Sequence, residues 1–146
     1  MTPCELPDQI IDDVSSNHLI NAILLLPNGV QTMSNEIEGL VESSNNVGVM
    51  TMTEKAIVFD SAVRSSVASL KDEIVKRIFA IGELTGAEVT LNSAYPAWPY
   101  KADSKIREVM VDVYEEMYNK KPEVMAIHAG LETGILTERI GEIVVS

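Results

Sequence analysis

The apolar positions change their period along the chain, and each change marks an element. Ser15, Ser16 and Asn17 are helix-capping types, and they precede His18 to Leu26, a run that is apolar almost throughout. That run predicts a short helix buried on most faces and stopped by the turn signal Pro27-Asn28-Gly29. Val30 to Ser34 alternates as a short strand does, and Leu40 to Thr53 is rich in Val, Thr and Met. Glu54-Lys55 turns the chain into Ala56 to Arg64. There Ile57, Phe59, Ser61 and Val63 share one face, with Val58, Asp60, Ala62 and Arg64 on the other. The period of two in this second run, joined to the first by the turn, predicts a β-hairpin. The period then lengthens: Leu70, Ile74, Ile78, Ile81 and Leu84 fall three and four apart, a single stripe on a helix from about Val67 to Thr85. Ser65 or Ser66 is its expected cap, and Gly86 stands where a helix-ending glycine belongs.

Ala87 to Ala94 reads as the next strand. Strand, strand, helix, strand predicts an α+β fold, a ferredoxin-like α/β sandwich: an antiparallel sheet with helices on one face, plus a small C-terminal α/β segment. The proline-broken aromatic stretch Tyr95-Pro-Ala-Trp-Pro-Tyr100 is the natural boundary. Residues 1–94 form the first unit on this reading, 95–102 the linker and 103–146 the second unit. The second unit is expected to hold a helix from Asp103 or Ser104 to about Tyr118, with Ile106, Val109, Met110, Val113 and Met117 on its apolar side. A strand at Val124 to Ile127, a helix at 131–139 and a strand at Glu142 to Val145 complete it.

A chain of 146 residues with 46% hydrophobic and 23% charged residues can bury a core. Its formal net charge of −11 argues against nucleic-acid partners and anionic membrane surfaces, which call for clustered Lys and Arg. Cys4 is the single cysteine, so neither an internal disulfide nor a cysteine-based zinc site can form. No apolar run approaches the roughly eighteen residues of a membrane span, and the start lacks signal-peptide features. A cytoplasmic protein is the expectation.

Three polar positions invite a chemical reading. His128 closes the Val124–Ile127 run just before Gly130, and Gly130 and Gly134 bracket a helix start, an arrangement that can turn backbone N–H groups towards a ligand. An edge histidine held by an ordinary hydrogen bond is the plainer reading. Arg64 ends a strand on the face opposite the apolar stripe, where its fork suits a carboxylate, although surface arginines are common. Asn46, followed by Gly48, interrupts a good strand and points to a bulge or a close backbone approach. His18 and His128 stand in no metal-binding spacing, and no nucleophile elbow, phosphate loop or dinucleotide fingerprint occurs.

Six runs in order carry a likeness that none carries alone. They are Leu25-Leu-Pro-Asn-Gly-Val30, Ile37-Glu-Gly-Leu-Val-Glu42, Ser44-Asn-Asn-Val-Gly-Val49, Val63-Arg-Ser-Ser66, Tyr95-Pro-Ala-Trp98 and Ala126-Ile-His-Ala-Gly-Leu-Glu-Thr-Gly134. Together they resemble the aminoacyl-histidine (Xaa-His) dipeptidases, of the dinuclear-zinc peptidases that include the aminoacylases. The likeness runs from about residue 5 to the end. Members of that family are much longer than this chain.

The resemblance implies a hydrolase of Xaa-His dipeptides such as β-alanyl-histidine, with residues 1–94 as part of a lid and dimerisation domain and 103–146 as part of the returning catalytic domain. It implies two zinc ions in the longer enzymes, on ligands that this chain lacks, so that no metal is expected on this chain and no catalytic residue lies in it. It further implies a homo-oligomer and a dipeptide partner. Asn46 and Arg64 match lid positions that reach substrate, and His128, Gly130 and Glu132 match the loop lining the pocket for the substrate's carboxylate end. Family loops usually have cysteine where Thr133 stands. The alternative from residues alone is a free-standing amino-acid-binding or dimerisation module.

Overall fold

A computed structural model of the chain describes residues 10–94, 96–98, 100–129 and 132–141. The elements are α1 (Asp13–Leu25), β1 (Gly29–Met33), β2 (Val41–Met52), β3 (Ile57–Ser65), α2 (Ala68–Thr85), α3 (Lys105–Tyr118) and α4 (Glu132–Ile140). β1, β2 and β3 form an antiparallel sheet in chain order, and α2 packs against β3 and β2 with α1 at its side. The α+β class and the β2–β3 hairpin are as the periodicity predicts.

α1 starts earlier than expected. Asp12 is its cap: one carboxylate oxygen accepts from the Val14 and Ser15 N–H groups at 3.0 Å, and the Ser15 hydroxyl donates to the other at 2.7 Å. Those bonds favour the carboxylate, the Ser15 hydroxyl foremost, and hold Asp12 below its ordinary pKa. The helix is not buried on most faces. It leans on α2 alone, and Ile20, Ile23, Leu24 and Leu25 are each half or more exposed.

α2 buries Ile74 and Ile81, the centre of the expected stripe, while Leu84 at its end is exposed. Neither Ser65 nor Ser66 is its cap. Val67 holds that position, and Ser65 Oγ accepts from the Val67 N–H just before it. Gly86 adopts the left-handed conformation at φ 68°, and the Ala87 N–H returns to the Gly82 carbonyl. This return explains why residues 87–94 form no strand. The chain folds back over the end of α2 so tightly that a methyl group on Gly82 would lie 2.5 Å from Val89 Cγ2, and so the segment runs beside the helix rather than along the sheet. Val124 to Ile127 likewise forms no strand and pairs with no other described residues. The expected strand at 142–145 lies outside the described residues.

Inside the sheet the two faces differ in an unusual way. Residues 43 and 45 point towards the covered side, yet they are Ser and Asn. Ser43 is 1% and Asn45 0% exposed. Both are satisfied. The Asn45 amide donates to the Pro27 carbonyl at 2.7 Å and accepts from the Ser61 hydroxyl at 2.8 Å, while Ser43 and Thr32 share a hydroxyl bond of 2.6 Å. Asn28 Oδ1 accepts from the Val47 N–H at 3.0 Å, a second tie from the α1–β1 turn to the sheet.

This accounting separates two neighbouring asparagines. Asn45→Ala strands the buried Pro27 carbonyl and should cost about 2–3 kcal/mol in urea unfolding. Asn46→Ala, on the exposed side, should change stability by no more than about 0.5 kcal/mol.

Candidate functional site

Alternation along a strand puts Ser44 and Asn46 on the face of the sheet opposite Ser43 and Asn45. Ser44 pairs with Arg64 across β2–β3, and Asn46 pairs with Ala62. Both Asn46 and Arg64 are exposed. Two of the anticipated recognition residues thus share one open face. The pairing skips one residue between Val47 and Val49, the bulge that Gly48 suggests. Asn46 lies over it, so close that a Cβ on Gly48 would sit 3.0 Å from Asn46 Nδ2.

His128 reaches the same face from a distant part of the chain. Its Nε2 lies 2.7 Å from the Ser44 hydroxyl, across 84 residues of sequence. Partial burial lowers the ring's pKa first, since a charged imidazolium is poorly solvated there, and the Arg64 cation lowers it further. A hydrogen bond with the Val41 backbone pulls the other way without reversing the direction. The arrangement is an open polar surface of hydroxyl, amide, guanidinium and neutral imidazole. It suits a small anion with a hydrogen-bonding tail.

The linker helps deliver this loop. Gly134, in the first turn of α4, is buried, and a Cβ there would meet the Pro96 carbonyl oxygen at 3.5 Å and Trp98 Cβ at 3.6 Å. The aromatic linker therefore packs on the helix start that follows His128. Gly130 lies outside the described residues, and Glu132 opens α4 with its side chain outside them too. Structure thus unites Asn46, Arg64 and His128, and leaves Gly130 and Glu132 undecided.

Ser44 was not among the expected site residues. A signal for it existed: Val41, Ser43, Asn45 and Val47 share the inward parity of β2, which leaves Ser44 outward beside Arg64. No group of three or more His, Cys, Asp or Glu side chains that could hold a metal exists among the described residues, and none of their helices is long and apolar enough to cross a membrane.

No family model matches the chain. It is 37% identical over 121 residues to the cytosol non-specific dipeptidase of Escherichia coli strain K12, a match covering 83% of this chain and 25% of that protein. The crystal structure of aminoacylhistidine dipeptidase from Vibrio alginolyticus superposes with a TM-score of 0.82 at 38% identity, over 92% of this chain and 28% of that one. The chain thus spans roughly a quarter of the length of each.

The electrostatics of His128 give a signed expectation. Its folded pKa lies below the unfolded value of about 6.5, so the unfolded chain binds more protons in that window. Stability from this group is therefore present above about pH 6.5 and is lost on acidification through the window below it. An NMR titration should place the His128 midpoint below the ordinary value, and Arg64→Gln should move it upward by removing the neighbouring cation.

Proposed function

The chain belongs to the dipeptidase family of these two relatives, and from that membership we propose that it forms the substrate-recognition part of a metal-dependent dipeptidase acting on Xaa-His dipeptides such as β-alanyl-histidine. The observation that carries this reading is the convergence of Asn46, Arg64 and His128 on one open face of the sheet. In this reading residues 1–94 are a lid and dimerisation unit, 95–102 a linker, and 103–146 part of the catalytic domain. The helix packing supports that division: among the described residues α1 and α2 pack together beside the sheet, and neither α3 nor α4 packs on another helix or strand.

Each residue has a task that its geometry suits. Arg64 offers two parallel N–H donors to the substrate's terminal carboxylate. Asn46 offers an amide that can donate to a carbonyl oxygen as negative charge develops on it. His128 is a neutral neighbour of Arg64, and by the family likeness Gly130 and Glu132 would line the pocket for the substrate's carboxylate end. The described residues do not suit a metal: His128 Nε2 is already engaged by Ser44, and no donor cluster surrounds it among them. Two zinc ions, by resemblance to the family, would therefore be held by segments other than this one.

A cytoplasmic location accords with the cytosolic relative. A homo-oligomer would cover part of the exposed apolar surface of α3, where Val109, Met110, Val113 and Met117 lie bare. The likeness to two dipeptidases over most of the chain disfavours a free-standing amino-acid-binding or dimerisation module.

Two measurements on the chain test the reading. In NMR titrations β-alanyl-histidine should shift the resonances of Ser44, Arg64 and His128, while the same dipeptide with its carboxylate amidated should bind at least about tenfold more weakly, as should Arg64→Ala with the intact dipeptide. Equal binding of acid and amide would refute the carboxylate site. Calorimetric titration with zinc should show no heat of specific binding, and tight uptake would mean that His128 and neighbouring carboxylates form a site after all.

A further inference from the structure

We infer that Ser44 is a positioning residue, whose hydroxyl, set opposite Arg64 in the sheet and 2.7 Å from His128 Nε2, holds the orientation of the imidazole beside Arg64. The inference rests on the recognition role proposed above for that open face, and it adds a residue which that role does not include.

The argument begins with what the ring's two nitrogens can do. A neutral imidazole has one donor and one acceptor nitrogen. The hydrogen bond with the Val41 backbone favours the protonated ring, and only an acceptor does that, so the backbone group is the Val41 carbonyl. A single Nε2 already bonded to Ser44 leaves Nδ1–H to meet it. Nε2 is then the acceptor, and the Ser44 hydroxyl donates to it. Val41 and Ser44 lie three residues apart on one strand, so β2 grips the ring at both nitrogens. The Ser44 bond holds the ring beside Arg64 and occupies Nε2.

Placement in the sheet gives the hydroxyl this role. Alternation sends Ser44 outward, while its neighbours Ser43 and Asn45 are buried in the polar interior. A cross-strand partner on the same face stands close to it, and that partner is Arg64. The serine therefore stands between the cation and the imidazole. It is small enough to leave the guanidinium free for a ligand. Its bond to His128 also ties the segment after α3 to the sheet.

The test uses the whole chain labelled with ¹⁵N-histidine. Only His18 and His128 contribute signals, so His18 serves as an internal control. Long-range ¹H–¹⁵N spectra at neutral pH should show His128 as a single Nδ1–H tautomer. Ser44→Ala should move the His128 Nε2 resonance towards that of an unbonded imidazole nitrogen with His18 unchanged, and Ser44→Thr, which keeps a hydroxyl, should restore it. Binding of β-alanyl-histidine should weaken roughly three- to tenfold in Ser44→Ala and recover in Ser44→Thr, as expected for one neutral hydrogen bond. A His128 spectrum that Ser44→Ala leaves unaltered overturns the inference, even where the dipeptide still binds. Absence of dipeptide binding to the unsubstituted chain overturns the recognition role instead, and leaves the His128 result to stand or fall separately.

Discussion

One buried amide fixes how the turn after α1 meets the sheet. Asn45 is fully enclosed, and its side chain spans from the turn after α1 to the third strand through the Pro27 carbonyl and the Ser61 hydroxyl. A polar group in that position is costly when unpaired and strongly orienting when paired, because few geometries satisfy it. The apolar core is small, with Ile74 and Ile81 its buried members among the described residues. Hydrogen bonding thus has an unusually large share in fixing how helix, turn and sheet meet. The parity of β2 follows from it. With Asn45 inward, Ser44 and Asn46 must face outward, and the open polar surface is a consequence of the buried clamp.

The elements were legible where a period was clean. β2, β3 and α2 lie within a residue or so of where alternation and the three-four stripe put them, because each has one covered side and one bare one. Legibility failed where burial came from elsewhere. Ala87 to Ala94 has the composition of a strand, yet the tight reversal at Gly86 carries it alongside α2. Val124 to Ile127 is apolar and extended in composition but pairs with no other described residues. The cap of α1 was misplaced because three good capping residues follow Asp12, and composition cannot say which of them the backbone reaches first.

Of the site, Asn46 and Arg64 could be read from the strand pattern, the first beside a glycine that marks the bulge and the second at a strand end. His128 could be singled out, but its partner could not. A contact across 84 residues leaves no trace in local spacing. Asn45 and Ser44 were hidden by the adjacent polar run Ser43-Ser44-Asn45-Asn46, in which every residue looks equally suited to solvent. Only the parity of the flanking valines sorts them, and that sorting requires knowing which face is covered.

The extra residue at Gly48 has a consequence for the far end of the hairpin. Up to Val47 the odd-numbered positions of β2 face the covered side. Past the bulge, Val49 stands opposite Asp60 rather than Ser61, so the odd positions there look outward with Ser44 and Asn46. Gly48 therefore acts as a phase shifter within one strand. A relative that gains or loses a residue at this point would keep the clamp and the site unchanged while exchanging the inner and outer side chains of the hairpin tip. The tip can thus vary in chemistry independently of the polar face below it.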